Sequence, residues 1–199
     1  MSYWEHRKRV QRVRAVDVRQ VALAAVELLD DGGLRALTIR AVALRLDVAP
    51  ASLYSRVASV DDLFDLALDQ VLGQDTELQK AVEQAPLHAL MLAYYRHLVR
   101  HPWACQVIAM RAPRGPNYLR LSERICVLLT DMGVTDPLSD AYALSNFIIG
   151  SATTTPTADQ ERIAPVDSDV APIYASLHAA HQIDADAIII AGLHALVHR

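Results

Sequence analysis

Apolar residues recur at helical spacing along most of the chain, and clear alternation of apolar and polar positions is missing. The pattern predicts an all-α protein. Asp17 suits a helix N-cap. After it, apolar residues fall at Val18, Val21, Ala22, Ala25, Leu28 and Leu29, until Gly32 and Gly33 stop the run. Thr38 can cap a second, short helix reaching about Leu46. Pro50 then stands among apolar Leu46, Val48, Leu53 and Val57. A proline breaks a helix interior, but in the first turn its missing N–H has no intrahelical partner to lose. Asp47 is one of the few non-glycine types that tolerate left-handed backbone. One helix therefore ends near Leu46, the chain turns within about three residues, and a third helix starts at Ala49–Pro50, a helix-turn-helix. Ser59 caps a fourth helix through about Leu72, with Asp61 and Asp62 near its positive end. Further helices open at Pro86, Pro102, Asn117 and Pro137. Residues 155–169 read as a loop, and helical patterns return at 170–181 and 184–198.

Charge sharpens this outline. Of 199 residues, 52% are apolar, enough for a sizeable core. The net charge of −4 divides unevenly: residues 1–56 carry +4 and residues 57–199 carry −8. "HRKRVQRVR", residues 6–14, holds five Lys/Arg and no acid. A basic head on an acidic body is what a polyanion-binding module joined to a second domain presents. No apolar run reaches about 18 residues, so no membrane span is expected. The N-terminus is charged where a signal peptide needs an apolar stretch. Cys105 and Cys126 form neither a metal motif nor a disulfide framework. A cytoplasmic protein with reduced thiols and no cofactor is the expectation. The chain lacks a nucleophile elbow, a glycine-rich phosphate loop and a paired-carboxylate signature, so no enzyme is expected.

The third helix would bury Leu53 and Val57 and leave Pro50, Ala51, Ser52 and Ser55 outward, flanked by Tyr54 and Arg56. Small residues admit a helix to a major groove. Serine bonds phosphates or base edges, and arginine pairs bidentately with guanine. Tyr54 could donate to a phosphate, and Arg40 could meet the groove edge. The plainer alternative is a three-helix corner whose polar residues only face water.

"LTIRAVALRLDVAPASLYSRVASVDDLFDLAL", residues 37–68, resembles the DNA-binding segment of the tetracycline-repressor (TetR) family. Leu37-Thr38, Ala43, Leu46, Val48, Leu53-Tyr54 and Leu63 carry the resemblance without a gap, and the first helix with its glycines fits. It covers about residues 16–70; the remainder resembles the family's C-terminal domain more loosely. Three positions depart from the pattern. Asp47 stands where glycine is frequent, and Arg56-Val57 follows where His-Phe or His-Val is frequent. Ser59-Val60-Asp61-Asp62 lacks the basic residue that commonly begins the fourth helix, which removes one phosphate contact.

The resemblance implies a DNA-binding domain over residues 1–60 and a helical ligand-binding and dimerisation domain over 61–199. It implies a homodimer on a palindromic double-stranded operator, released by an unknown small-molecule effector. Arg7, Lys8, Arg9, Arg12 and Arg14 would form a phosphate-following arm. Helices five to eight would surround a pocket, with His88, Met91, Tyr95, Trp103, Met110, Asn117, Tyr118, Asn146 and Phe147 as candidate lining. Residues 137–153 and 184–198 would pair two subunits, through Ile148, Ile189, Leu193 and Leu196. The runner-up keeps the head and makes the body a metal or thiol redox sensor, on His97/His101, His194/His198, His178/His181 and the two cysteines. A third reading is a small-molecule-binding protein or enzyme with a vestigial helix-turn-helix.

Overall fold

A computed structural model describes residues 2–6, 16–180 and 184–197, with the side chains of residues 158, 159 and 162 outside it. The described residues form helices and no strand. Arg7, Lys8, Arg9, Arg12, Arg14, His181 and His198 lie outside them.

The head is built as its caps foretell. Helix α1 (Tyr3–His6) is a single turn. Helix α2 (Val18–Gly32) starts where the Asp17 carboxylate accepts the Arg19 N–H at 3.0 Å and ends at Gly33, whose φ is +64°. Its buried face, Val21, Ala22, Ala24, Ala25 and Leu29, is mostly alanine, so α2 lies close along α5 (Val60–Gln74). Thr38 caps α3 (Ile39–Arg45) through the Ala41 N–H, and α4 (Pro50–Leu53) follows the turn.

Helix α5 runs from Ser59, which caps the Asp61 N–H, and is buried almost all round from Asp62 to Leu72. It therefore serves as the common wall of head and body. Beyond it come α6 (Thr76–Gln84), α7 (Leu87–Arg100), α8 (Pro102–Met110), α9 (Pro116–Asp131) and α10 (Pro137–Thr154). Then follow α11 (Ala158–Ile163), α12 (Pro172–Ala180) and α13 (Ala185–Val197). The body core joins Leu90, Met91, Tyr94 and Leu98 of α7 to Leu144, Ile148 and Ala152 of α10 and to Ile189 and Leu193 of α13. Gly192 lets α13 close on Phe147: a Cβ there would overlap the ring.

Three elements depart from the expectation. Helix α6 was not foreseen: it buries only Leu78 and Ala81, too few positions for periodicity to report, and is started by the Asp75 carboxylate on the Leu78 N–H. The expected loop at 155–169 contains α11, preceded by a 3-10 turn at Thr155–Thr157. The expected subunit contacts Ile148, Ile189 and Leu193 are 0–1% exposed within the single chain, and Leu196 is half-buried. Helix α13 is apolar almost all round, and those are the residues on its inward stripe and on the inward stripe of α10. The outward faces carry Ala143, Gly150, Ile188, Ile190 and Ala191 instead.

Candidate DNA-reading surface and effector cavity

The turn between α3 and α4 closes by two backbone bonds, Val48 N–H to Ala43 O (3.0 Å) and Asp47 N–H to Leu44 O (3.2 Å). This double closure is the helix stop that usually places glycine in the left-handed position. Asp47 occupies it here with φ +52°. Pro50 then opens α4, and Leu53 and Val57 are buried beneath it. Pro50, Ala51, Ser52, Tyr54 and Ser55 are exposed together, Tyr54 to 59%. Arg40 is exposed on α3; Arg56 is half-buried. The Ser55 hydroxyl donates to Ser52 O at 2.8 Å, leaving its oxygen as an acceptor. The described helix stops at Leu53 and continues as turns, so the outward segment is shorter than a full recognition helix.

Residues 16–56 hold five arginines and five acids, so the head's positive charge resides entirely in residues 1–15. Arg45 is moreover paired with Glu27 (2.7 Å) and Asp31 (3.2 Å).

Helix α5 carries a stripe of buried acids, Asp62, Asp65 and Asp69. Each is matched by a partner distant in sequence. Asp62 accepts from the Ala58 N–H (2.6 Å) and faces His6 Nε2 at 3.0 Å. Asp65 accepts from the Tyr3 N–H (2.8 Å) and the Ser2 hydroxyl (3.1 Å), and pairs with Arg111 Nε at 3.0 Å. Arg111 also reaches Asp61 at 3.3 Å. Asp69 accepts the Asn117 N–H (2.8 Å) and its side-chain amide (2.9 Å), holding the start of α9. Burial raises the Asp69 carboxyl above its ordinary range, against the lowering effect of Asn117.

A second junction ties α2 to the corner between α7 and α8. Asp30 accepts the Trp103 indole N–H (2.6 Å) and meets His101 Nδ1 (2.8 Å). Behind it, wholly buried His97 presents Nδ1 to Asp75 at 2.7 Å. Burial depresses His97 to about 4, outweighing Asp75. Partial burial pushes Asp75 up, but the Leu78 N–H, His97 and Arg100 more than offset it, and its carboxyl lies below the ordinary range.

A cavity of about 340 Å³ opens between the end of α8, α9 and α10. Ile108, Ile125 and Ile149 make its apolar walls; Arg114, Tyr118, Tyr142 and Asn146 bring polar tips. Of the nine candidate lining residues, the structure brings Tyr118 and Asn146 to this cavity. Met91 is in the core, Trp103 and Asn117 hold the two junctions above, and His88 stacks on His194 with ring centroids 4.5 Å apart. Phe147 covers Gly192, Met110 is exposed, and Tyr95 lines a separate cavity. Arg114, Tyr142 and Ser145 were missed. They lie on the α8–α9 loop and on an α10 face whose opening to a void leaves no mark in periodicity. Burial raises the Tyr118 phenol, and the wholly buried Tyr94 beside it is pushed well above the usual range. Among the described residues no His/Cys/Asp/Glu group is arranged to hold a metal ion, and both cysteines are free.

A tight helix-turn-helix beside a helical body with a cavity is the arrangement that a ligand-responsive transcriptional regulator requires. The family profile "Bacterial regulatory proteins, tetR family" matches residues 23–67, and "Tetracyclin repressor-like, C-terminal domain" matches residues 80–178. The chain belongs to the TetR family of bacterial transcriptional regulators. It is 40% identical over 139 residues to an HTH-type transcriptional regulator of Saccharopolyspora erythraea. It is 35% identical over 141 residues to the HTH-type transcriptional repressor DrrR1 of Streptomyces coeruleorubidus. These stretches are 66% and 67% of this chain but 58% and 51% of those proteins, so the chain spans little more than half the length of the curated relatives it matches. Streptomyces coelicolor ActR, solved in complex with (S)-DNPA, is 26% identical, with TM-score 0.73 over 92% of this chain and 96% of that one.

Proposed function

We propose that the protein is a cytoplasmic repressor, a regulator rather than an enzyme, that binds a palindromic operator as a homodimer and leaves it when a small organic effector occupies the α8–α10 cavity. Residues 1–60 form the DNA-binding unit and 61–199 the effector and dimerisation unit. The observation that carries the reading is the outward Pro50–Ser55 segment, seated on buried Leu53 and Val57 beside a wall helix that reaches the body. Similarity to DrrR1 supports repression, and similarity to ActR supports a small organic effector. The arm supplies phosphate attraction and its salt dependence, and Arg40, Ser52, Tyr54, Ser55 and Arg56 supply register and base choice.

The coupling is local. Ala112, Pro113 and Arg114 line the cavity, and the adjacent Arg111 grips Asp61 and Asp65 near the start of α5, just past the reading segment. An effector that prefers a shifted 112–114 segment moves that grip and the spacing of the two heads. A coupling of about 1–3 kcal/mol suffices for a five- to 150-fold change in operator affinity.

Selection of bound sequences from random duplex DNA tests the reading. Two inverted half-sites centred roughly 34–36 Å apart are expected. Recovery of no enriched sequence refutes it. Within the enriched site, Ser52→Ala should alter base preference at one position, and Tyr54→Phe should weaken all variants alike. Unchanged binding in both removes α4 from the interface.

The dimer forms through the outward faces of α10 and α13, where Gly150 and Ala191 are exposed and small enough for close helix approach. A Cβ at Gly150 meets open space, so the single chain tolerates a side chain there. Gly150→Glu with Ala191→Glu should sediment as a folded monomer. Ile189→Glu should unfold the chain instead, since it places a charge in the core. A double variant that stays dimeric excludes this face.

A further inference from the structure

A second cavity, of about 300 Å³, lies where α7, the end of α10, the 3-10 turn, α11 and α13 meet, and it shares no lining residue with the α8–α10 cavity. Its serine and threonine hydroxyls donate to backbone carbonyls. Ser151 donates to Phe147 O (2.8 Å), and Thr154 is shared between Gly150 O and Ser151 O (3.2 and 3.1 Å). Thr155 donates to Ser151 O (2.8 Å) and Thr157 to Thr154 O (2.8 Å). The Thr155 proton being committed, the 2.8 Å contact with Tyr95 runs from the phenol to the Thr155 oxygen. Each hydroxyl hydrogen on this wall is thus used on the protein itself, and only oxygen lone pairs are left to face the cavity.

Glu161 adds a carboxylate to the same wall. The Tyr174 hydroxyl donates to its Oε1 at 2.6 Å, which steadies the group and leaves Oε2 as an acceptor. Among the described residues no cationic group lines the cavity, and the opposite wall is apolar: Ala185, Ile188 and Ile189. A wall of hydroxyl oxygens and a carboxylate facing an apolar one disfavours an anion. It is satisfied by a group with several N–H donors and a positive charge, carried on a hydrocarbon body.

We infer that this cavity binds an organic monoammonium ion, its ammonium on Glu161 and the threonine oxygens and its carbon skeleton on Ile188 and Ile189. The site shares no residue with the DNA-reading segment or with the α8–α10 cavity.

Calorimetric titration of the full chain with 2-phenylethylammonium chloride tests it, with 3-phenylpropionate as the matching anion. Saturable binding of one amine per chain is expected, with Kd of about 1 mM or tighter, and none of the acid. Glu161→Gln should weaken the amine about tenfold, the effect of losing a charged hydrogen-bond partner. Thr154→Lys, which fills the cavity with its own ammonium, should abolish binding while the circular dichroism spectrum stays helical. No saturation by the amine, equal binding of amine and acid, or full affinity in Glu161→Gln each overturns the assignment.

Discussion

Arg111→Ala will lower the unfolding free energy by about 3 kcal/mol, the largest effect expected of any single truncation outside the apolar core. Asp65 is 2% exposed, and its strongest partner is the Arg111 guanidinium, with Nε at 3.0 Å and a terminal nitrogen at 3.3 Å. Removing one member of a buried ion pair strands the other. The stranded charge, rather than the lost attraction, sets the cost. The Tyr3 N–H and Ser2 hydroxyl still point at Asp65, which keeps the loss at the low end of the usual range. Urea denaturation should show a lowered midpoint at unchanged slope. Asp65→Asn added to Arg111→Ala should recover part of the loss, because the neutral amide no longer needs a countercharge. A single-variant loss under about 1 kcal/mol would mean that water reaches Asp65 in solution.

That pair also marks the boundary of what the sequence discloses. Helix starts were legible because they rest on residues adjacent to the helix: Asp17, Thr38, Ser59 and the first-turn prolines each declare a cap locally. The left-handed turn was legible at Asp47 for the same reason. The first-turn acids of α5 had a sufficient local explanation in the helix N-terminus. The burial of Asp62, Asp65 and Asp69 had none, because Asp65 meets residues 46 and 62 positions away and Asp69 meets Asn117 across 48. No local pattern encodes such pairings. The reading segment needed only the knowledge of which side Leu53 and Val57 face. The cavity needed more: where two buried faces fail to touch. Periodicity reports that α10 has a buried side, but not that Tyr142 and Asn146 border a void while Ile148 is sealed. For α13, an apolar residue at nearly every position erases the contrast that would separate the inward stripe of Ile189 and Leu193 from the outward one of Ile188 and Ile190.

Acidification from pH 7 to pH 5 will remove about 2 kcal/mol of stability through His97 alone. Its ring is wholly buried, and Nδ1 faces the Asp75 carboxylate, which fixes the proton on that nitrogen. Nε2 is buried with no hydrogen-bond partner among the described residues. A second proton would have to sit there with no acceptor from them. Burial therefore depresses His97 to about 4, and the nearby carboxylate does not restore it. In the unfolded chain the ring titrates near 6.5. Below that value the unfolded state gains a proton that the folded state refuses. Stability is accordingly full above about pH 6.5 and drains as the pH falls toward 4. The carboxylates contribute their own slopes, so the variant comparison isolates this one. His97→Gln keeps a donor for Asp75 and cannot titrate. Its stability difference between pH 7 and pH 5, measured by urea denaturation, should be smaller than that of the parent chain by about 2 kcal/mol. Equal differences in the two proteins would show that His97 protonates in place. The consequence would then be structural: an imidazolium behind the Asp30–His101–Trp103 contact would put a positive charge beneath the seam that holds the head to the body.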